Sequence, residues 1–443
     1  MRAASRTAAV LAGLGGCLPS RLVTNTELAA YLDTSDEWIR GRTGIGARHW
    51  VDPGTSTGDL AVRAGERALQ AAGVDGVDAV VVATTTPDRL CPATAPEVAF
   101  RLGLVGVAAY DVAAVCTGFI YGLASAAGMI AAGNARRVLL IGAEAYSTII
   151  DPKDRTTAVI FADGAAAVVL RAGDADEPGA IGPCDLGSDG SNSDLIEIPA
   201  GGSRRRSSGV PTEPEEHFFQ MRGTEVYRHA VERMSGSARS ALERASWCTA
   251  DVDRFVPHQA NGRISAAVAE RLGIAPDRVL ANIEHVGNTA AASIPLLLAQ
   301  GAADGRLRPG QRVLLAAFGG GLTWAATTVT WPDVAAYADP PGEPGTDLTE
   351  ADLTEPRTHR SHRRRSAMFQ QLKQILTSKF QLDADEIDPS STLEGLQLDS
   401  LDLVELALVI EKEFGARVSD DELAETQQLD AIIGLVEART AKV

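Results

Sequence analysis

The sequence predicts an α/β fold made of two similar halves, followed by a linker and a small all-α domain. Three observations carry this. Apolar runs of strand length, such as Asp78-Ala79-Val80-Val81-Val82-Ala83, Arg137-Val138-Leu139-Leu140-Ile141-Gly142 and Ala165-Ala166-Ala167-Val168-Val169-Leu170, alternate with helix-like stretches across residues 5 to 332. Continuous apolar runs of this kind belong to strands covered on both faces. The run Arg137-Val138-Leu139-Leu140 returns 175 residues later as Arg312-Val313-Leu314-Leu315, and such self-similarity points to an internal duplication. After Trp331-Pro332 the apolar content falls away and then resumes with helical spacing at Met368.

The first element is a strand. Arg2 and Arg6 precede Ala8-Ala9-Val10-Leu11-Ala12-Gly13-Leu14-Gly15-Gly16-Cys17, which superficially has the look of a lipoprotein leader. The run is short and glycine-rich, and it reads better as the first core strand. Residues 1–175 then form one half and 176–332 the other. The strand ending at Thr84-Thr85-Thr86-Pro87 has its counterpart in the one ending at Pro257-His258. Cys116 follows Asp111-Val112-Ala113-Ala114-Val115, and the segment after it is apolar all round as far as Gly133. That segment reads as a helix buried in the core, with Cys116 at its N-terminal end. Unpaired N–H groups and the helix dipole there are expected to favour the thiolate, a good acyl nucleophile. The plainer alternative is a small core residue. Two later stretches, Arg254-Phe255-Val256-Pro257-His258-Gln259-Ala260-Asn261 and Gly287-Asn288-Thr289-Ala290-Ala291-Ala292-Ser293-Ile294-Pro295, each set polar residues at the end of an apolar run. Between them and the first half, 182–214 is a Gly-, Ser- and Pro-rich loop with Arg204-Arg205-Arg206, either a solvated run or a docking patch for an acidic partner.

Residues 333–367 read as a disordered linker, with prolines and acids and then His359-Arg360-Ser361-His362-Arg363-Arg364-Arg365. In 368–443, Phe369, Leu372, Ile375, Leu376 and Phe380 share one helical face. Leu401, Val404, Glu405, Leu408 and Val409 lie along a second helix, preceded by Leu398-Asp399-Ser400.

At 443 residues, with a net charge of −17, the chain exceeds one ordinary domain. From Met368 onward 16 acidic and 6 basic side chains leave −10 of that charge in the last domain. So acidic a chain argues against nucleic acid as the main partner. The five cysteines are widely spaced and suggest neither a disulfide framework nor a metal site, which fits a reducing cytoplasm. No apolar stretch is long and uninterrupted enough to imply a membrane span.

Together the Cys116, His258 and Asn288 stretches resemble the beta-ketoacyl-[acyl-carrier-protein] synthase III family, with its Cys-His-Asn triad. The resemblance covers roughly residues 5–332. It includes Ser35-Asp36-Glu37-Trp38-Ile39 with Arg42-Thr43-Gly44-Ile45, Asp151-Pro152 with Asp154-Arg155, Phe161-Ala162-Asp163-Gly164-Ala165, and Ala317-Phe318-Gly319-Gly320-Gly321-Leu322-Thr323-Trp324. It implies a thiolase-like fold of five αβαβα layers. It implies that Cys116 takes a starter acyl group from acyl-CoA and condenses it with malonyl-acyl carrier protein, in fatty acid or polyketide biosynthesis. The oxyanion donors would be the N–H groups of Cys116 and Gly320, and Phe318 would shield the site. By the same resemblance Trp38, Arg42 and Arg155 contact coenzyme A, and Arg222 and Arg263 meet the carrier. Cys91 stands where the family sets pocket length across a homodimer interface, which implies a roomier pocket than an acetyl-only enzyme has. Residues 368–443 resemble an acyl carrier protein, implying four helices and 4′-phosphopantetheine on Ser400. No metal is implied.

Neighbouring families fit less well. Degradative thiolases use a second cysteine near the C-terminal glycine turn, and no cysteine follows Cys248. Elongating synthases use two histidines, and the second position here is Asn288. Chalcone-synthase-like enzymes carry no carrier domain. The alternative within the family is a relative that moves the acyl group to a hydroxyl or amine without forming a carbon–carbon bond. Such relatives often lack Asn at the Asn288 position.

Overall fold

The computed structural model describes residues 7–345, 348, 359–380, 382–384, 387–396, 398, 400–414, 416 and 418–440. The chain divides into two compact units, Met1–Pro356 and Arg357–Val443. Strands of the first unit are β1 Thr7–Cys17, β2 Arg21–Thr24, β3 Ala47–Trp50, β4 Ala79–Ala83, β5 Ala108–Val112, β6 Arg137–Ala145, β7 Asp163–Asp174, β8 Asp185–Ser188, β9 Ile196–Glu197, β10 Gln220–Met221, β11 Arg254–Pro257, β12 Arg312–Gly319, β13 Thr323–Thr330 and β14 Ala336–Tyr337.

Two sheets carry the duplication. One runs β14-β1-β7-β6-β4-β5 and the other β11-β12-β13-β8. In the first, β4 lies parallel to β6, β6 antiparallel to β7, and β7 antiparallel to β1. In the second, β11 lies parallel to β12, β12 antiparallel to β13, and β13 antiparallel to β8. The registers match: Val138 pairs with Ala79, and Val313 with Arg254. The echo between Arg137 and Arg312 is therefore a structural repeat.

Helices Gly118–Ala131 and Ser293–Ala303 fill the space between the sheets. Phe119, Ile120 and Leu123 of one and Ile294, Leu297 and Leu298 of the other share a core with Leu14, Val81 and Val138 of the first sheet and Val256, Val313 and Leu315 of the second. Burial on all sides explains their all-round apolar sequences. Outside the first sheet lies Thr57–Ala72, started by a Ser56/Asp59 capping box. It packs so closely on β1 that a Cβ at Gly15 would stand 2.2 Å from the Ala64 carbonyl oxygen. Outside the second sheet lie Gly223–Arg244 and Gly262–Leu272. The result is five layers, αβαβα, from two similar halves. The N-terminal run is a core strand, as read from its sequence.

The expected linker differs from the structure at both ends. β14 pairs with β1 through Leu14–Ala336 and Gly15–Tyr337. Asp339 then accepts from the Leu18 N–H at 2.9 Å and from Arg67 at 2.9 Å. A strand of only two residues carries too little periodicity to be read from sequence. Residues 346–347 and 349–358 of the expected linker lie outside the described residues. The second unit begins with helix His359–Lys379, nine residues ahead of Met368.

That unit is helical, with Ser400–Phe414, Asp420–Thr426 and Leu429–Thr440 completing it among the described residues. Leu372, Leu376, Leu406, Ile410, Leu423 and Ile432 form its core. Of the apolar residues read along the second helix, Val409 is buried, whereas Val404 is 41% and Leu408 63% exposed. No helix among the described residues is long and apolar enough to cross a membrane.

Candidate active site

Cys116 lies in a single 3₁₀ turn, Val115–Thr117, that feeds helix Gly118–Ala131. The turn is held in an unusual backbone state. Val115, a β-branched residue, has φ of +47°, a conformation that costs about 1–3 kcal/mol and persists only where its surroundings enforce it. Gly319 at the end of β12 presses on the turn. A Cβ at Gly319 would lie 2.8 Å from the Cys116 nitrogen and 3.1 Å from its Cβ. The absence of a side chain there leaves the Cys116 N–H open, close to its own sulfur. The expected thiolate is not what the structure favours. Burial, with a smaller contribution from the Glu144 carboxylate, raises the thiol's pKa, and the residue's own N–H offsets only part of that. Desolvation outweighs the helix end.

His258 follows β11, with its side chain buried. Burial alone pushes its pKa down to about 3, so the imidazole is neutral at physiological pH. Its Nδ1 lies 2.6 Å from the Ser293 hydroxyl, at the start of helix Ser293–Ala303. Asn288 is locked in place by its backbone: its N–H donates to the Ile160 carbonyl at 3.0 Å, and its carbonyl accepts from Ala162 N–H at 2.9 Å. Its Oδ1 accepts from Ala290 N–H at 2.9 Å, and its Nδ2 amide has no acceptor among the described residues, so it can donate into the cavity. Ala290 has φ of +43°.

Cys116, His258 and Asn288 line one cavity of about 410 Å³, measured out to its open mouth, together with Phe318 and Gly319. Its remaining walls are apolar. Phe161 and Phe219 stand there in edge-to-face contact at 4.8 Å, with Tyr146 stacked behind Phe161 at 4.7 Å. Ile196 of β9, Met221 of β10 and Met234 of the outer helix Gly223–Arg244 also contribute.

The other sequence-predicted positions lie in several separate places. Trp38 and Arg42 lie on helix Asp36–Thr43, and the Arg155 guanidinium stands 5.1 Å over the Trp38 ring. The Arg42 carbonyl accepts from Asn261 Nδ2 at 3.1 Å, and Asn261 caps the helix that carries exposed Arg263. These four residues thus form one connected surface. Arg222 pairs with Asp194 at 3.0 Å. Gly320 packs against Ile196 and Val115, one residue beyond the glycine that touches Cys116. Cys91 is exposed, and it is absent from the lining of its own chain's cavity. Arg205, in the short helix Ser203–Ser208, pairs with Glu216 at 2.7 Å, while Arg204 and Arg206 face solvent. Ser400 is the first residue of its helix, with Asp402 in the first turn. Asp399 lies outside the described residues.

Sequence reasoning missed Ser293 and Glu144. Ser293 was hidden among alanines. Glu144 is fully buried in β6, where its carboxylate accepts from the Thr85 N–H at 3.0 Å and the Thr86 hydroxyl at 2.8 Å. Burial pushes it up to about 7. The available signal was a lone acid at the end of Val138-Leu139-Leu140-Ile141-Gly142-Ala143. No group of three or more metal-ligating side chains occurs among the described residues.

Comparison with known proteins finds relatives of both units. Residues 110–190 match the family described as 3-Oxoacyl-[acyl-carrier-protein (ACP)] synthase III, and 242–331 match its C-terminal part. Residues 370–436 match a phosphopantetheine attachment site. Beta-ketoacyl-[acyl-carrier-protein] synthase III 5 of Streptomyces coelicolor is 63% identical over 329 residues, which is 74% of this chain and 99% of that protein. The synthase III of Pseudomonas aeruginosa is 51% identical over 75% of this chain and 99% of its own. The crystal structure of 3-oxoacyl-(acyl carrier protein) synthase III from Pseudomonas aeruginosa superposes with a TM-score of 0.70 at 50% identity, covering 74% of this chain and 99% of that one. The priming beta-ketosynthase from the R1128 polyketide pathway gives 0.69 at 35% identity, over 75% and 99%.

Proposed function

The chain belongs to the beta-ketoacyl-[acyl-carrier-protein] synthase III family, and we propose that it primes chain synthesis by loading a starter acyl group from acyl-CoA onto Cys116 and condensing it with malonyl-carrier protein. In the first half-reaction the Cys116 sulfur forms a thioester with the acyl carbon. The bond to the coenzyme A sulfur breaks, and the thiol proton leaves on coenzyme A. In the second, malonyl-carrier loses CO₂, and the electron pair becomes an enolate whose oxygen accepts from His258 Nε2 and Asn288 Nδ2. The enolate carbon attacks the acyl-Cys116 carbonyl. The resulting oxyanion is held by the N–H groups of Cys116 and Gly320. Collapse breaks the Cys116 thioester and gives 3-ketoacyl-carrier protein. The released thiolate takes up one proton and, given the raised pKa of this thiol, rests protonated.

The observation that carries this reading is the pairing of donors opposite the thiol. Asn288 has its oxygen occupied, and His258 is neutral and a poor base. Two donors suit decarboxylation. The alternative, acyl transfer to a hydroxyl or amine, needs a base to take the acceptor's proton, and an imidazole at about 3 does this badly.

The attachment-site domain implies covalent 4′-phosphopantetheine. Ser400, at a helix start, supplies the hydroxyl this modification needs. The arm supplies a terminal thiol on which acyl groups travel as thioesters. In this reading Trp38, Arg42 and Arg155 hold coenzyme A, and Arg222 and Arg263 meet the acidic carrier. The protein acts as a homodimer in which the Cys91 loop closes its mate's acyl pocket. Exposed Cys91 and Leu90, the latter 77% exposed, support that.

The test is intact-mass analysis of the protein with malonyl-carrier and a panel of acetyl-, propionyl-, longer and branched acyl-CoAs. Acyl-Cys116, released CO₂ and ketoacyl product are expected, with starters longer than acetyl accepted. Transfer to a hydroxyl or amine without CO₂ would overturn the condensing assignment. Strict acetyl preference would overturn the pocket assignment.

A further inference from the structure

Donors opposite Cys116 are useful only if His258 carries its proton on the ring nitrogen that faces the cavity. Imidazole has two nitrogens and, when neutral, one proton, so something must choose. In many enzymes a carboxylate does this by accepting from Nδ1. Here no acidic side chain hydrogen-bonds the ring among the described residues. Its partner at Nδ1 is the Ser293 hydroxyl at 2.6 Å, and both side chains are 2% exposed.

A hydroxyl can donate or accept, so the second contact of Ser293 decides. Its oxygen also accepts from the Gln259 backbone N–H, at 3.4 Å. If Nδ1 bore the proton, the oxygen would receive two N–H groups and its own hydrogen would have no acceptor among the described contacts. A buried hydroxyl hydrogen without an acceptor is costly. If the hydroxyl donates to Nδ1, every group is satisfied: Gln259 N–H to oxygen, oxygen hydrogen to Nδ1, and the imidazole proton on Nε2.

We propose that Ser293 is the positioning residue that fixes the tautomer of His258, holding the proton on Nε2 so that the ring meets the malonyl thioester as a hydrogen-bond donor. The inference rests on the condensing reading given above and deepens it. It has a corollary for the first half-reaction. A ring whose Nδ1 is occupied and whose Nε2 already carries hydrogen has no free lone pair for the Cys116 proton. Self-acylation therefore proceeds without His258 as base, and Ser293 bears on decarboxylation alone.

The backbone supports the assignment. Ser293 opens helix Ser293–Ala303, and Gln259 is pinned independently, its Nε2 donating to the Pro257 carbonyl at 2.8 Å and its Oε1 accepting from Asn282 N–H at 3.2 Å. Both ends of the Gln259–Ser293–His258 chain are thus set by the fold.

The experiment uses the full chain with ¹⁵N-labelled histidine, and the His258 signals are assigned by difference from His258→Gln. The expected spectrum shows an unprotonated Nδ1 and a protonated Nε2. Ser293→Ala should populate the other tautomer and slow malonyl-carrier decarboxylation on the order of 10²-fold, short of the roughly 10⁴-fold seen when a catalytic histidine is forced into the wrong tautomer. Self-acylation by acyl-CoA should stay within about twofold, since the hydroxyl acts only through the ring in the second half-reaction. Ser293→Thr, which keeps the hydroxyl, should restore both spectrum and rate. A proton on Nδ1 in the parent protein would overturn the proposal. So would full decarboxylation by Ser293→Ala, or loss of self-acylation in step with decarboxylation. His258→Ala is assayed alongside: if it decarboxylates normally, the role given to His258 fails, whatever the spectrum shows.

Discussion

Gly319→Ala tests the geometry at the nucleophile most directly. The position is not left-handed, so alanine suits its backbone, and the whole effect comes from space. The new Cβ would stand 2.8 Å from the Cys116 nitrogen, where ordinary contact begins near 3.4 Å. The Cys116 turn must retreat by about 0.6 Å, or the end of β12 must. Overpacking of this kind costs about 1–3 kcal/mol in stability, a melting shift of a few degrees in a unit this large. The catalytic loss should be larger than that suggests. In the proposed reaction the displaced atoms are the nucleophile and its own N–H, and a misplacement near 1 Å costs about 10²-fold in rate. The rate of acyl-Cys116 formation, followed by intact mass, should therefore fall between about 10- and 10²-fold. Gly142→Ala is the matched control. Its Cβ would stand 2.5 Å from the Ala291 carbonyl oxygen and 3.3 Å from Ala292 Cα, so it pushes the Asn288 turn instead. It should slow decarboxylation and largely spare acylation. Wild-type acylation by a folded Gly319→Ala protein would refute the reasoning, as would equal loss of acylation in both variants.

Three further outcomes are expected. Cys116→Ala should abolish self-acylation, whereas Asn288→Ala should retain it and lose most malonyl-carrier decarboxylation; complete loss of acylation in Asn288→Ala would contradict the division of roles. With a separate malonyl-carrier, rates should fall as salt rises, because exposed charges such as Arg263 are screened. The fused chain should have a shallower salt slope than the same chain cleaved between its two units, since tethering raises the effective carrier concentration; equal slopes would mean that the tether does not serve this reaction. Finally, Glu144 is raised from the ordinary carboxylate range to about 7, so its contribution to stability is intact at low pH and is lost as pH rises through about 7. Melting temperature should drop between about pH 4.5 and 7 in the parent and less in Glu144→Gln, while Asp163, raised to about 6, titrates in both.

Much of the site was legible because reactive residues interrupt apolar runs. Cys116, His258 and Asn288 each sit where a core strand or buried turn stops, and the structure brings all three to one cavity. The protonation states were not legible, because they depend on burial that no local pattern records. The helix end at Cys116 was visible in sequence; the desolvation that outweighs it was not. Ser293 looked like one more small residue in Ala290-Ala291-Ala292-Ser293, and only the fold sets it beside His258. In the carrier the helical period was read correctly, but a one-residue rotation decides which apolar side chains are covered, and Val404 and Leu408 fall outside. β14 is stabilised by pairing with β1 and by Asp339, interactions distant in sequence.

The duplication sets two copies of one turn side by side, and they differ at the position facing them. Val115 and Ala290, at φ of +47° and +43°, mark the same backbone device in the two halves. Cys116 follows the first and Ala291 the second, and each leads into a buried helix. Each turn aims a backbone N–H at the end of the central strand of its opposite half. Those strand positions also correspond: Glu144 stands seven residues beyond Arg137, and Gly319 seven beyond Arg312. The Ala291 N–H meets the Glu144 carboxylate, which also takes the Thr85 N–H. The Cys116 N–H meets Gly319, where the side chain is missing. One copy of the turn thus has its anion site filled by the protein's own carboxylate. The other is kept empty by a glycine whose backbone angles do not require one. In the proposed reaction the glycine matters because it leaves that N–H open, as the donor for the oxyanion that develops on the Cys116 thioester.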